Sequence, residues 1–107
     1  MLPDGFYGAR FKTPRGEGAG VVVLAKGQLR GGDSCITYSG TFAQDGDNFS
    51  ASVATSRHAQ GLPSVFGIDV VNITLTGKSS GTGATCTGTA TQAPGITFQA
   101  VLTRISD

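Results

Sequence analysis

Apolar and polar residues alternate one for one along most of this chain, and that period of two constrains the fold more than any other feature. Residues two apart share a face in a strand but not in a helix. From 49 to 56, Phe49, Ala51 and Val53 fall on one side, with Ser50 and Ser52 on the other. From 70 to 76, Val71, Ile73 and Leu75 oppose Asn72, Thr74 and Thr76. The same pattern sets Tyr7, Ala9 and Phe11 on one face of 6–12, and Ile36, Tyr38, Gly40 and Phe42 on one face of 36–43. It sets Cys86 with Ala84, Gly88 and Ala90 in 82–90, and Phe98 with Ala100 and Leu102 in 96–105. A β-branched run, 19–25, and a short stretch, 28–31, bring the expected strands to eight. Helix formers are too scarce to offer an alternative, since Glu occurs once and Lys three times among 107 residues.

Turn chemistry separates these stretches at short intervals. The signals are Thr13-Pro14-Arg15-Gly16, Lys26-Gly27, Gly32-Asp33-Ser34, Asp45-Gly46, Gly77 to Gly81 and Ala93-Pro94-Gly95. Between Arg57 and Asp69 the alternation stops. There Leu62-Pro63-Ser64-Val65-Phe66 fits one short helical turn, with Pro63 near its start. Eight short strands joined in sequence predict an all-β fold over 1–107. The expected form is an eight-stranded antiparallel up-and-down barrel with at most one short helical turn. Closure also removes exposed edges, which suits strands so rich in Thr and Val.

The side chains offer little catalytic chemistry. The formal net charge is +1, and the densest basic group, Arg10, Lys12 and Arg15, is too sparse for nucleic acid. No apolar stretch approaches the length of a membrane span. Met1-Leu2-Pro3-Asp4 carries no basic or apolar leader signal, so a cytoplasmic location is expected. His58, the single histidine, stands without other imidazoles and makes a poor metal ligand. Asp45 and Asp47 form the only close carboxylate pair, in a turn where shaping the backbone is their first role. Asp33 reads as a turn former bonding its own backbone. Cys86 is expected to face inward and Cys35, in phase with Thr37, Ser39 and Thr41, outward, so the two thiols are expected to be free. The expectation is therefore a non-enzyme without metal or cofactor.

Two binding surfaces emerge instead. Tyr38, Phe42, Phe49, Val53 and Phe98 point inward among small residues such as Ala51, Ala84 and Ala100. They line a cavity for a small apolar ligand, unless Phe11, Phe42, Phe49, Phe66 and Phe98 fill the space. The 19–25 run is apolar on both faces, and an apolar outer stripe marks a partner surface. Gly20, Val22 and Leu24 are assigned to that outer stripe, as the interface of a symmetric homodimer.

Asp4-Gly5-Phe6-Tyr7, Gly16-Glu17-Gly18, Lys26-Gly27, Gly31-Gly32-Asp33, Tyr38-Ser39-Gly40 and Leu62-Pro63-Ser64-Val65, in that order, resemble the GrlR-like family of type III secretion negative regulators. The likeness runs from about Asp4 to Arg104, through order and spacing rather than through any one motif. It implies a lipocalin-like barrel that dimerises and regulates by binding another protein, a transcription activator. The family's partner contact is an acidic hairpin turn. The matching positions are Gln44, Asp45, Gly46 and Asp47, of which Asp45 and Asp47 are acidic.

Overall fold

A computed structural model describes residues 1–61 and 69–107; the helical turn expected at 62–66 lies outside them. The strands are β1 (Gly5–Thr13), β2 (Gly16–Ala25), β3 (Gln28–Gly32), β4 (Ile36–Asp45), β5 (Asn48–Arg57), β6 (Asn72–Ser79), β7 (Gly83–Ala90) and β8 (Ala93–Ser106). Each pairs antiparallel with the next, and β8 returns to pair with β1. The fold is thus a closed eight-stranded up-and-down barrel, as the alternation predicts.

The turns follow from residue type. Ala25 pairs with Gln28 around Lys26 and Gly27, whose φ angles of 52° and 80° are those of a type I′ turn. Asp45 pairs with Asn48, so the central residues of that hairpin are Gly46 and Asp47, not Asp45 and Gly46. Only Gly46 there takes a positive φ, 61°. Two strands run further than the turn signals suggest. β6 continues to Ser79, with Gly77 opposite Cys86. β8 begins at Ala93 opposite Ala90, so Thr91 and Gln92 make the turn, and Ala93-Pro94-Gly95 is strand. A register shift between Gly88 and Ala90 interrupts the ladder opposite Pro94, where a residue without an N–H is tolerated.

The two ends of the barrel differ. At one end the N-terminal segment forms a floor. Leu2 is buried there, its N–H donating to Gln44 Oε1 at 2.7 Å and its carbonyl accepting from Gln44 Nε2 at 2.9 Å. Tyr7 donates its phenol proton to the Pro3 carbonyl at 2.6 Å, and Asp4 Oδ2 accepts from the Lys26 N–H. Tyr7, Leu24 and Phe49 pack the interior and are among its most deeply buried side chains. The other end carries the Pro14-Arg15 turn, the 33–35 loop and the Thr91-Gln92 turn.

The inward faces of β1, β5, β6 and β8 are those the alternation assigns: Tyr7, Ala9, Val53, Ile73, Leu75, Phe98 and Leu102 are all buried. Phe42 is only half-buried. Gly40 lies where β4 crowds β5, since a Cβ there would come within 1.9 Å of the Ser52 carbonyl oxygen.

The phase assigned to β2 is reversed. Val22 and Leu24 are 3% and 0% exposed, while Val21 and Val23 are 40% and 46% exposed. Directly paired residues share a face, and Val22 sits opposite Tyr7 while Leu24 sits opposite Leu29. Those neighbours point into the core, so Val22 and Leu24 must as well, and they cannot form an outer interface. Leu24→Ala is expected to destabilise the barrel by about 2–5 kcal/mol through the cavity it leaves. Val23→Thr, on the outer face, is expected to cost less than about 1 kcal/mol. Urea unfolding of the two variants checks the assignment.

Candidate functional site

The described residues do not fill the interior. Between the floor and the opposite end lies a cavity of about 260 Å³. Its wall is made by Ala9, Phe11, Val22, Leu29, Ile36, Phe49, Val53, Ile73, Leu75, Phe98, Ala100 and Leu102, with Tyr38, Thr55, Val71 and Cys86. Of the five side chains expected to line it, Tyr38, Phe49, Val53 and Phe98 do so. Phe42 does not; its ring stacks on Phe49 at 5.8 Å, outside the cavity wall. Small residues at Ala9 and Ala100 leave the space, and aromatic rings bound it. Phe11 stacks on Phe98 at 6.0 Å and meets Tyr38 edge-on at 5.3 Å.

The mouth is built around Asp33. Its Oδ1 accepts from the N–H groups of Cys35 at 2.8 Å and Ile36 at 2.7 Å. This is the backbone-bonding turn expected of an Asp at that position. Its Oδ2 accepts from the Tyr38 phenol at 2.5 Å, a contact between turn and wall that the sequence gives no sign of. Gly20 makes room for that phenol. A Cβ at Gly20 would lie 2.8 Å from the Tyr38 hydroxyl, so Gly20 also faces in rather than toward a partner. Glu17 also lines the cavity edge, on the outward phase of β2 opposite exposed Lys12.

Burial works to raise the Asp33 pKa, but the Tyr38 hydrogen bond and the two N–H donors outweigh it and hold the carboxyl below the usual range. Burial, together with the bond to Asp33, drives the Tyr38 phenol far above its ordinary value. Burial alone pushes the Cys86 thiol up to about 11, which leaves it a protonated, unreactive wall residue at neutral pH.

Cys35 is not outward. It precedes β4, so the strand's alternation does not govern it, and it lies half-buried at the mouth with Sγ 3.7 Å from the Gln60 carbonyl. Both cysteines are free. His58 anchors the same loop, its N–H donating to the Cys35 carbonyl and its Nε2 lying 3.0 Å from the Asp33 carbonyl. Arg57 nearby pairs with Asp69 at 2.8 Å.

The turn at Gln44, Asp45, Gly46 and Asp47 sits at the floor, away from the cavity. Gln44 is committed to Leu2, and the Asp47 carbonyl accepts from the Ser79 N–H. The Asp47 carboxylate takes the Met1 ammonium at 2.7 Å. Among the described residues no group of three or more His, Cys, Asp or Glu is placed to hold a metal, and no helix is long and apolar enough to cross a membrane.

Fold and site together define a small up-and-down barrel with an apolar interior and one polar mouth, an architecture suited to enclosing a small molecule. No protein-family model and no curated protein matches the chain.

The Asp33 contacts imply a definite pH dependence. A carboxyl whose folded pKa is lowered contributes stability above its unfolded pKa, near 4, and loses it as pH falls through the folded value. Asp33→Asn is expected to cost about 1–2 kcal/mol at pH 7, the low end for charged hydrogen bonds because the carboxylate is partly solvated. The gap between the wild type and the variant should shrink steadily below about pH 4. Urea unfolding at a series of pH values measures it.

Proposed function

We propose that this chain is a non-enzymatic binding protein whose barrel holds one small apolar ligand. The observation that carries the reading is the 260 Å³ cavity itself, walled by apolar and aromatic side chains. An engineered apolar cavity of about 150 Å³ holds benzene, so this one has room for a two-ring body of about ten carbons. Polar groups cluster at the mouth, where Asp33 and Tyr38 can fix orientation, as in small-molecule sites generally. 1-Naphthylmethanol is a suitable probe. Calorimetric titration is expected to show saturable one-to-one binding, weakened at least about tenfold in Ala100→Leu, which fills part of the cavity. A wild-type protein that binds no small apolar probe would overturn the reading.

A second reading, a dimeric regulator of the GrlR-like kind acting on a protein partner in the cytoplasm, is favoured by the outer face. Val21 and Val23 on β2 and Val101 and Ile105 on β8 are exposed, and β1 lies between them. Ile105 lies over Gly8 of β1, so the apolar surface continues across three neighbouring strands. This face replaces Gly20, Val22 and Leu24 as the dimer surface. The turn at Gln44–Asp47 supports the family's acidic contact less well, because Gln44 serves the floor. Sedimentation at high micromolar concentration is expected to show a dimer that Val23→Asp converts to monomer; a wild-type monomer counts against it.

A further inference from the structure

We infer that the cavity selects apolar molecules with a hydrogen-bond-donating, positively charged head, an aromatic or aliphatic amine, and discriminates against apolar carboxylic acids. This inference rests on the ligand-binding reading above. It follows from counting protons at the mouth. The Tyr38 hydroxyl spends its proton on Asp33. The N–H groups of Cys35 and Ile36 are spent on the same carboxylate, and that of Asp33 on the Ile36 carbonyl. Thr55 donates to the Asp69 carbonyl at 2.7 Å and accepts from the Val71 N–H at 3.0 Å. The Cys86 thiol is a weak donor only.

What is left facing the cavity is acceptor capacity. A carboxylate offers about four lone-pair sites, and Asp33 uses three. The Tyr38 oxygen keeps its own lone pairs after donating. Among the described residues Ser34, whose hydroxyl shares a 3.6 Å contact with the Cys35 thiol in which either atom can donate, is the neutral donor that a carboxylic acid or a phosphate meets there; an ammonium meets the Asp33 carboxylate and the Tyr38 oxygen.

Charge points the same way. No Lys or Arg lines the cavity among the described residues. The undescribed stretch 62–68, Leu-Pro-Ser-Val-Phe-Gly-Ile, contains no charged residue to supply one. Arg57 is paired with Asp69 at 2.8 Å and reaches the mouth only through the Cys35 side chain, so its charge is largely met by a carboxylate. Aromatic rings in the wall, Phe11, Tyr38 and Phe98, are compatible with a cationic head, which a ring face attracts at short range.

A matched series tests this: 1-naphthylmethylamine, 1-naphthylmethanol and 1-naphthoic acid, titrated calorimetrically into the wild-type protein at pH 7. Shape is nearly constant, so the head group decides. The amine is expected to bind about ten- to a hundredfold tighter than the alcohol, as for a hydrogen bond to a charged partner, and the acid weakest. Asp33→Asn should bring the amine within about threefold of the alcohol, both measured in that variant. Tyr38→Phe keeps Asp33 and should keep the amine preference. Equal binding of all three in the wild type, or tightest binding of the acid, overturns the inference and leaves the cavity reading standing. Loss of the amine preference in Tyr38→Phe overturns its assignment to Asp33. Binding of none of the three overturns both. The wild-type comparison decides even if Asp33→Asn fails to fold.

Discussion

The pairing of β8 with β1 is the constraint on which the rest of this molecule depends. It ties the last strand to the first across almost the whole chain and turns a meander into a tube. Once the tube is closed, every strand has one face inside and one outside, and no strand can rotate its phase without disturbing both neighbours. The inward Tyr7 on β1 thereby fixes Val22 on β2, and Leu24 fixes, and is fixed by, Leu29 on β3.

Closure also creates the empty space. A cavity of about 260 Å³ leaves its wall side chains without packing partners on one side. Leu in place of Ala9 or Ala100 would remove much of it. The floor shows how this chain seals a barrel end. There Leu2 and Gln44 satisfy each other's polar groups over a packed interior. At the opposite end Asp33 gathers the polar groups to one side of an opening instead.

Asp33 joins the architecture to the chemistry of the site. By bonding Cys35 and Ile36 it shapes the loop that leads into β4, and by bonding Tyr38 it orients the one hydroxyl-bearing ring in the cavity wall. Gly20 and Asp33 approach Tyr38 from different strands and loops, so replacing either one moves the phenol. The same contacts hold the carboxylate charged beside apolar walls.

The alternation of residues along β1, β4, β5, β6 and β8 determined by itself that the chain is all-β, where most strands lie, and that Tyr38, Val53, Ile73, Phe98 and Leu102 face inward. A period of two is a local property, and a strand with one apolar face states its own orientation. The turn role of Asp33 was legible for the same reason, since an Asp bonding its own backbone two residues on needs no distant partner. Tertiary structure decided what local pattern could not. β2 is apolar on both faces, so only its register against Tyr7 and Leu29 sets Val22 and Leu24 inside and Val21 and Val23 outside. The strand character of Ala93-Pro94-Gly95 needed the register shift opposite it. The contact between Asp33 and Tyr38 needs the turn into β4 to be formed, the seat at Gly20 sets β2 against a side chain of β4, and the volume left between Ala9 and Ala100 lies where β1 meets β8, which only closure of the barrel brings together.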